Sequence, residues 1–107
     1  MRELLIVETR DAADHKDPER MADLAIGTSK AGIPTTIFLA ENGAFNARAN
    51  GESRLGAAVS KGVRVAVDRF ALTERAIDEA ALVDGISVGD IDLVVDRLAN
   101  GACVMWR

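Results

Sequence analysis

With one histidine and one cysteine in the chain, polar chemistry has to be sought first among its carboxylates and guanidinium groups. Three short clusters stand out: Glu8, Thr9 and Arg10; Glu41, Asn42 and Phe45; Asp68, Arg69 and Phe70. In the first and third, Glu8 or Asp68 could serve as a general base while Arg10 or Arg69 stabilises developing negative charge, the pattern of a small hydrolase or isomerase. Two carboxylates and two guanidinium groups converging on one cleft would equally bind a polar ligand or a charged partner loop. The plain alternative is the solvated rim that any α/β domain carries.

His15 falls in the polar stretch after the first apolar run, where an imidazole can exchange protons near neutral pH. No orienting partner lies near it in sequence, and it reads as a solvated loop residue. Cys103 stands between Ala102 and Val104 in an apolar strand, where a free cysteine usually acts as a small buried hydrophobe. Its alternative role is a reactive thiol. The sequence contains no GxGxxG, GxxxxGK[ST], CxxC or HExxH, so the short signals for dinucleotides, triphosphates, redox dithiols and zinc are missing. No cofactor and no metal are expected.

These residues acquire meaning only from the elements that carry them. Residues 4–7, Leu-Leu-Ile-Val, form a continuous apolar run, as in a strand buried on both faces. Asp17 and Pro18 signal a helix start, with Asp17 as the capping acceptor. Met21, Leu24, Ala25 and Thr28 give that helix one face, and Gly32 a left-handed end. A β-branched second strand spans 34–40, and 41–53 reads as a long loop with at most one helical turn. A helix over about 54–61 leads into a third strand at 63–67, and 71–83 is helix-prone. "GISVG" is a short strand or a turn. Ile91, Val94, Val95 and Leu98 give the clearest helical stripe, closed by Asn100 and Gly101, before a last strand in "ACVMW".

Strands alternating with helices predict a mostly parallel sheet of about five strands in a three-layer α/β/α sandwich, flavodoxin-like. Ligands of such sheets bind outside the carboxyl ends of the strands, so the functional edge should follow residues 7, 40 and 67. That places Glu8, Thr9, Arg10, Glu41, Asn42, Phe45, Asp68 and Arg69 along one rim. At 107 residues the chain fits a single domain, 1–107, and 49% apolar with 28% charged residues is globular composition. A net charge of −4, with basic residues scattered singly, argues against nucleic-acid or anionic-membrane partners. The charged pair Arg2 and Glu3, followed by an apolar run ending at Glu8, is too short for a signal-peptide core or a membrane span; a cytoplasmic protein is expected, in keeping with its lone cysteine.

The short first strand, the Pro-started helix, the segment "AGIPTTIFLAENGAF" at 31–45 and the terminal apolar strand together resemble the DsrE/DsrF-like proteins, over most of the chain. The resemblance implies a DsrE-like sheet and a cytoplasmic homo-oligomer, a trimer or hexamer, or a hetero-oligomer with related subunits of the DsrE/DsrF/DsrH and TusBCD type. Members of the DsrE and TusD type carry persulfide sulfur on a cysteine just after the strand corresponding to 63–67. Here Asp68 falls at or next to that position, and 64–77 hold no cysteine. A carboxylate cannot form a persulfide, which needs an attacking thiolate. The ending "CVMWR" is similar to the tryptophan-terminated tails of DsrH/TusB-like relatives, several of which are structural partners without the cysteine. Trp106 would then pack at a subunit contact or cap its own core. The implied function is a non-catalytic binding subunit; the alternative is a persulfide carrier using Cys103.

Overall fold

Why five segments become strands is clearest at the centre of the sheet. In a computed structural model describing residues 2–50 and 54–107, β1 (Leu4–Glu8) and β2 (Thr35–Leu39) are buried at every position. Neither offers a polar face to water, so both belong inside a sheet covered on two sides. They are flanked by β3 (Arg64–Asp68), the short β4 (Ser87–Gly89) and β5 (Cys103–Trp106) in the order β4-β3-β2-β1-β5, all parallel. The three-layer α/β/α sandwich on a parallel five-stranded sheet expected from the sequence is the one observed, with "GISVG" supplying a true strand.

Strand order determines which face each helix covers. The chain steps one way from β1 to β4, so right-handed crossovers put α1 (Asp17–Lys30), α2 (Leu55–Ser60) and α3 (Arg69–Glu74) on one face. The step back from β4 to β5 puts α4 (Asp92–Ala99) on the other. Alternation sorts the core accordingly: Leu4, Ile6, Ile37, Leu39, Val65 and Val67 pack with Ala25, Ala58 and Leu72, whereas Leu5, Val7, Phe38 and Ala66 pack with Val94. Among the described residues one face thus has three α-helices and the other a single two-turn helix.

Several expectations need correction. Leu24 lies on the outer side of α1, and Ala22 with Ala25 makes its buried face. Asp17 makes no capping bond to α1; its carboxylate is turned to Arg107 instead. Gly32 does terminate the helix, at φ +87, with Ile33 N–H donating back to Thr28. Residues 41–47 form a 3₁₀ helix over the whole of Glu41–Ala47, not one turn in a loop, while 51–53 of that expected loop lie outside the described residues. The helix expected over 71–83 ends at Glu74, because Ala76 adopts φ +52 and Ile77 N–H folds back to Leu72. A 3₁₀ turn, Glu79–Ala81, follows, started by Asp78 accepting from Ala80 N–H. On α4 only Val94 of the apolar stripe is buried; Ile91, Val95 and Leu98 are half exposed. Among the described residues no helix is long and apolar enough to cross a membrane.

Candidate functional site

At the carboxyl edge of the sheet a cavity of about 770 Å³ opens between the ends of β2, β3, β4 and β5. Each strand end contributes a residue. Ala40, Glu41 and Asn42 follow β2, Asp68 closes β3, Asp90 follows β4, and Trp106 ends β5. Phe70 and Glu74 come from α3, Arg75 from the turn after it, and Ile91 from the start of α4. This is where the strand-end rule places a ligand.

Local sequence explains how the rim is held. Gly43 lets the 3₁₀ segment approach the end of β1, since a Cβ there would stand 2.0 Å from the Glu8 carbonyl oxygen. The same segment is tied down at its far end by an antiparallel bridge between Arg48 and Leu82. Arg75 Nε donates to Asn42 Oδ1 at 3.0 Å, and the Arg75 and Arg48 guanidinium groups lie over the Phe45 ring at 6.0 and 4.9 Å. Phe45 is therefore a platform for two cations behind the cleft, not part of its wall. Glu41, at the lip, holds a left-handed φ of +52, uncommon for a residue with a side chain.

The expected rim residues separate into two groups. Glu41, Asn42 and Asp68 line the cavity. Arg69 does not; its guanidinium pairs with Glu79 at 3.0 Å. Neither Thr9 nor Arg10 lines it: the Thr9 hydroxyl donates to the Arg107 carbonyl, and Arg10 is exposed. Instead of two carboxylates with two guanidinium groups, the cavity has Glu41, Asp68, Glu74 and Asp90 with Arg75 alone. His15 is exposed, as read. Glu74 and Arg75 escaped the sequence reading because they come from a helix end rather than a strand end. Asp90 and Trp106 stand just after, or at the end of, strands, so applying the strand-end rule to β4 and β5 would have found them.

Glu8, proposed as a base at this rim, lies elsewhere. Its side chain is 1% exposed on the α1 side of the sheet, where Oε2 accepts from Arg10 N–H and Oε1 has no donor. Facing it is the buried Asp17 carboxylate, held by a forked Arg107 pair with distances of 2.6 and 3.2 Å. Burial, and then the hydrogen bond to Asp17, push Glu8 up to about 7, against the lowering influence of Arg10 N–H and Arg107. Asp17 moves down, mainly through its bond to Arg107, and Arg107 moves up for the same reason. A proton on Glu8 turns two opposed acceptors into a donor and an acceptor.

Cys103 also departs from expectation: it is exposed, and it begins the edge strand β5 level with Leu4, at the amino edge of the sheet. Trp106 is 58% exposed and caps no core. Among the described residues no three His, Cys, Asp or Glu side chains are grouped to hold a metal ion.

No protein-family model and no curated protein sequence matches the chain. Solved structures do. The YchN protein from E. coli superposes with a TM-score of 0.87 at 14% identity, covering 100% of both chains. The chain shares its fold with YchN. A protein of unknown function from Methanobacterium thermoautotrophicum gives 0.70 at 16% identity over 98% of this chain and 99% of its own. A conserved protein of unknown function from Bacteroides thetaiotaomicron gives 0.74 at 16% over 99% and 95%. At such identities the likeness speaks for the fold alone, and the strand-end cavity has to be interpreted from its own residues.

Proposed function

We propose that the chain is a DsrE/DsrF-like oligomeric subunit, related to the sulfur-relay proteins by descent, that binds a small molecule or partner in the strand-end cleft without doing sulfur chemistry there. The observation that carries this reading is Asp68 at the cleft, at the end of β3, at or next to the position where the resembled proteins keep their cysteine. A carboxylate can bind and orient at that point but cannot carry sulfane sulfur.

Assembly is supported by the thinly covered face. Val95 and Leu98, each 55% exposed, form an outward apolar ridge on α4, which among the described residues is the one helix on its side of the sheet. A second copy of the chain is the partner proposed for that ridge, in a trimer or hexamer, with related subunits as the alternative. Native mass spectrometry at micromolar concentration tests the reading; a strict monomer overturns it. A cytoplasmic setting belongs to the same proposal.

The exposure of Cys103 favours one second reading, a persulfide carrier with a relocated thiol. Cys103 and Asp68 lie about five residues apart along the strands and three strands apart across the sheet, roughly 20 Å at ordinary strand spacings. Such a carrier would work at the amino edge of the sheet, independently of the cleft. Incubation with a sulfane-sulfur donor, followed by intact mass measurement of the native chain and of Cys103→Ser, separates the two readings.

A further inference from the structure

The chemistry of the cleft restricts what it can hold. We propose that it accommodates a small organic cation, an amine or guanidinium group on a short apolar chain. This rests on the reading of the cleft as a binding site and names the class of its ligand.

Four acidic residues, Glu41, Asp68, Glu74 and Asp90, line the cavity with one arginine, Arg75. Among the described residues the chain's ion pairs are Arg54 with Asp23, Arg69 with Glu79, Arg97 with Glu3 and Arg107 with Asp17, so none neutralises a carboxylate of the cleft. The one cation present is already committed. Arg75 donates from Nε to Asn42 and from a terminal nitrogen to the Ala71 carbonyl at 3.5 Å, and its group lies over the Phe45 ring. Those partners are neutral, so its charge still counts, and four carboxylates less one guanidinium leave the lining a surplus of three negative charges.

Glu41, Glu74 and Asp90 are exposed and Asp68 is half-buried, so water reaches the acids. What sets them apart from an ordinary charged rim is that apolar side chains share the same concavity, and such low-dielectric walls concentrate the field of the charges between them. Phe70 is 68% exposed, and Trp106 and Ile91 are more than half or half exposed at the same opening, an unusual concentration of uncovered apolar surface. Aromatic faces beside negative charge complement an apolar chain with a cationic head, by burial of the chain and by attraction of the cation to the ring. An anion of the same length meets the net negative charge of the lining. A neutral molecule gains only the apolar part.

Trp106 is the only tryptophan and the chain has no tyrosine, so intrinsic emission reports on this cleft directly. The probes are agmatine, hexanamide and hexanoate, titrated into the native full chain at low salt and at about 0.5 M salt. We expect saturable agmatine binding that weakens at high salt and falls at least tenfold in Asp68→Asn/Asp90→Asn. The Asp90 change retains a side-chain oxygen for the hydrogen bond from Asp92 N–H, and circular dichroism verifies the fold of the variant. Agmatine binding indifferent to that double change, or hexanoate or hexanamide binding as tightly as agmatine, overturns the cation assignment while leaving the cleft a binding site. No response to any of the three probes overturns both.

Discussion

Replacing Glu8 by Gln should stabilise the protein above neutrality and leave it unchanged near pH 4.5. In the native chain this buried carboxyl keeps its proton up to about pH 7, whereas in the unfolded chain it loses it near 4.5. Below 4.5 both states are protonated and the site is at its most favourable. Between 4.5 and 7 the unfolded state sheds the proton and the native state does not, so the native state loses stability as pH rises. At about 1.4 kcal/mol per pH unit, the interval from 4.5 to about 7 amounts to roughly 3 kcal/mol. That is a substantial part of the stability of a small domain.

Glu8→Gln keeps the hydrogen bonds and removes the titration. The new amide oxygen can accept from Arg10 N–H and the amide nitrogen can donate to Asp17, as the protonated acid does. Asp17 works in the opposite direction, since a depressed carboxyl contributes stability above its unfolded value and loses it in acid. It is present in both proteins and largely cancels in their difference. Urea midpoints from pH 4 to 8, at constant slope, give that difference curve. It should be near zero at pH 4.5 and rise to a few kcal/mol in favour of the variant by pH 8. A flat difference curve would refute the argument, as would a variant less stable at pH 8.

Other expectations follow from the same coordinates. Asp17→Asn should lower the Glu8 midpoint, read by carboxyl carbon NMR, because the carboxylate that accepts its proton is gone while its burial remains. Gly43→Ala should cost about 1–3 kcal/mol in denaturant melts, since its methyl group would collide with the backbone oxygen of Glu8 rather than with a side chain that can move aside. Val95→Asp/Leu98→Asp should dissociate the proposed assembly without unfolding the chain: each half-exposed side chain stands to contribute roughly 1 kcal/mol on burial, and the carboxylates reverse the sign. Sedimentation that is unchanged in this variant would exclude the α4 ridge as the contact. Cys103 should react with a thiol reagent in the native protein, without denaturant.

What was legible in the sequence divides along the reach of the interactions involved. Local devices read correctly: the Leu4–Val7 run, the glycine that ends α1, and the β-branched second strand each depend on neighbours a few residues away. The segment 71–83 misled because apolar content was mistaken for a continuous helical face. A left-handed residue at Ala76, an exception to the rule that such positions favour glycine, leaves no mark in the sequence. The stripe on α4 was periodic, and periodicity does identify a face. It does not say what covers that face, and here the chain itself covers only Val94.

The candidate site shows the same division more sharply. Asn42 and Asp68 could be placed because the end of a parallel strand is a local property that topology turns into a position. Glu8 sits at such an end too, yet its role is decided by Asp17 nine residues away and by Arg107 at the far end of the chain. Buried charge is tolerated only where partners converge, and convergence across ninety residues is information held by the fold, not by spacing. The sign of the cleft follows the same logic. Arg69 looked like a cleft cation from its neighbours in sequence, but Glu79 takes it away, and with it goes the balance of charge that an anionic ligand would need.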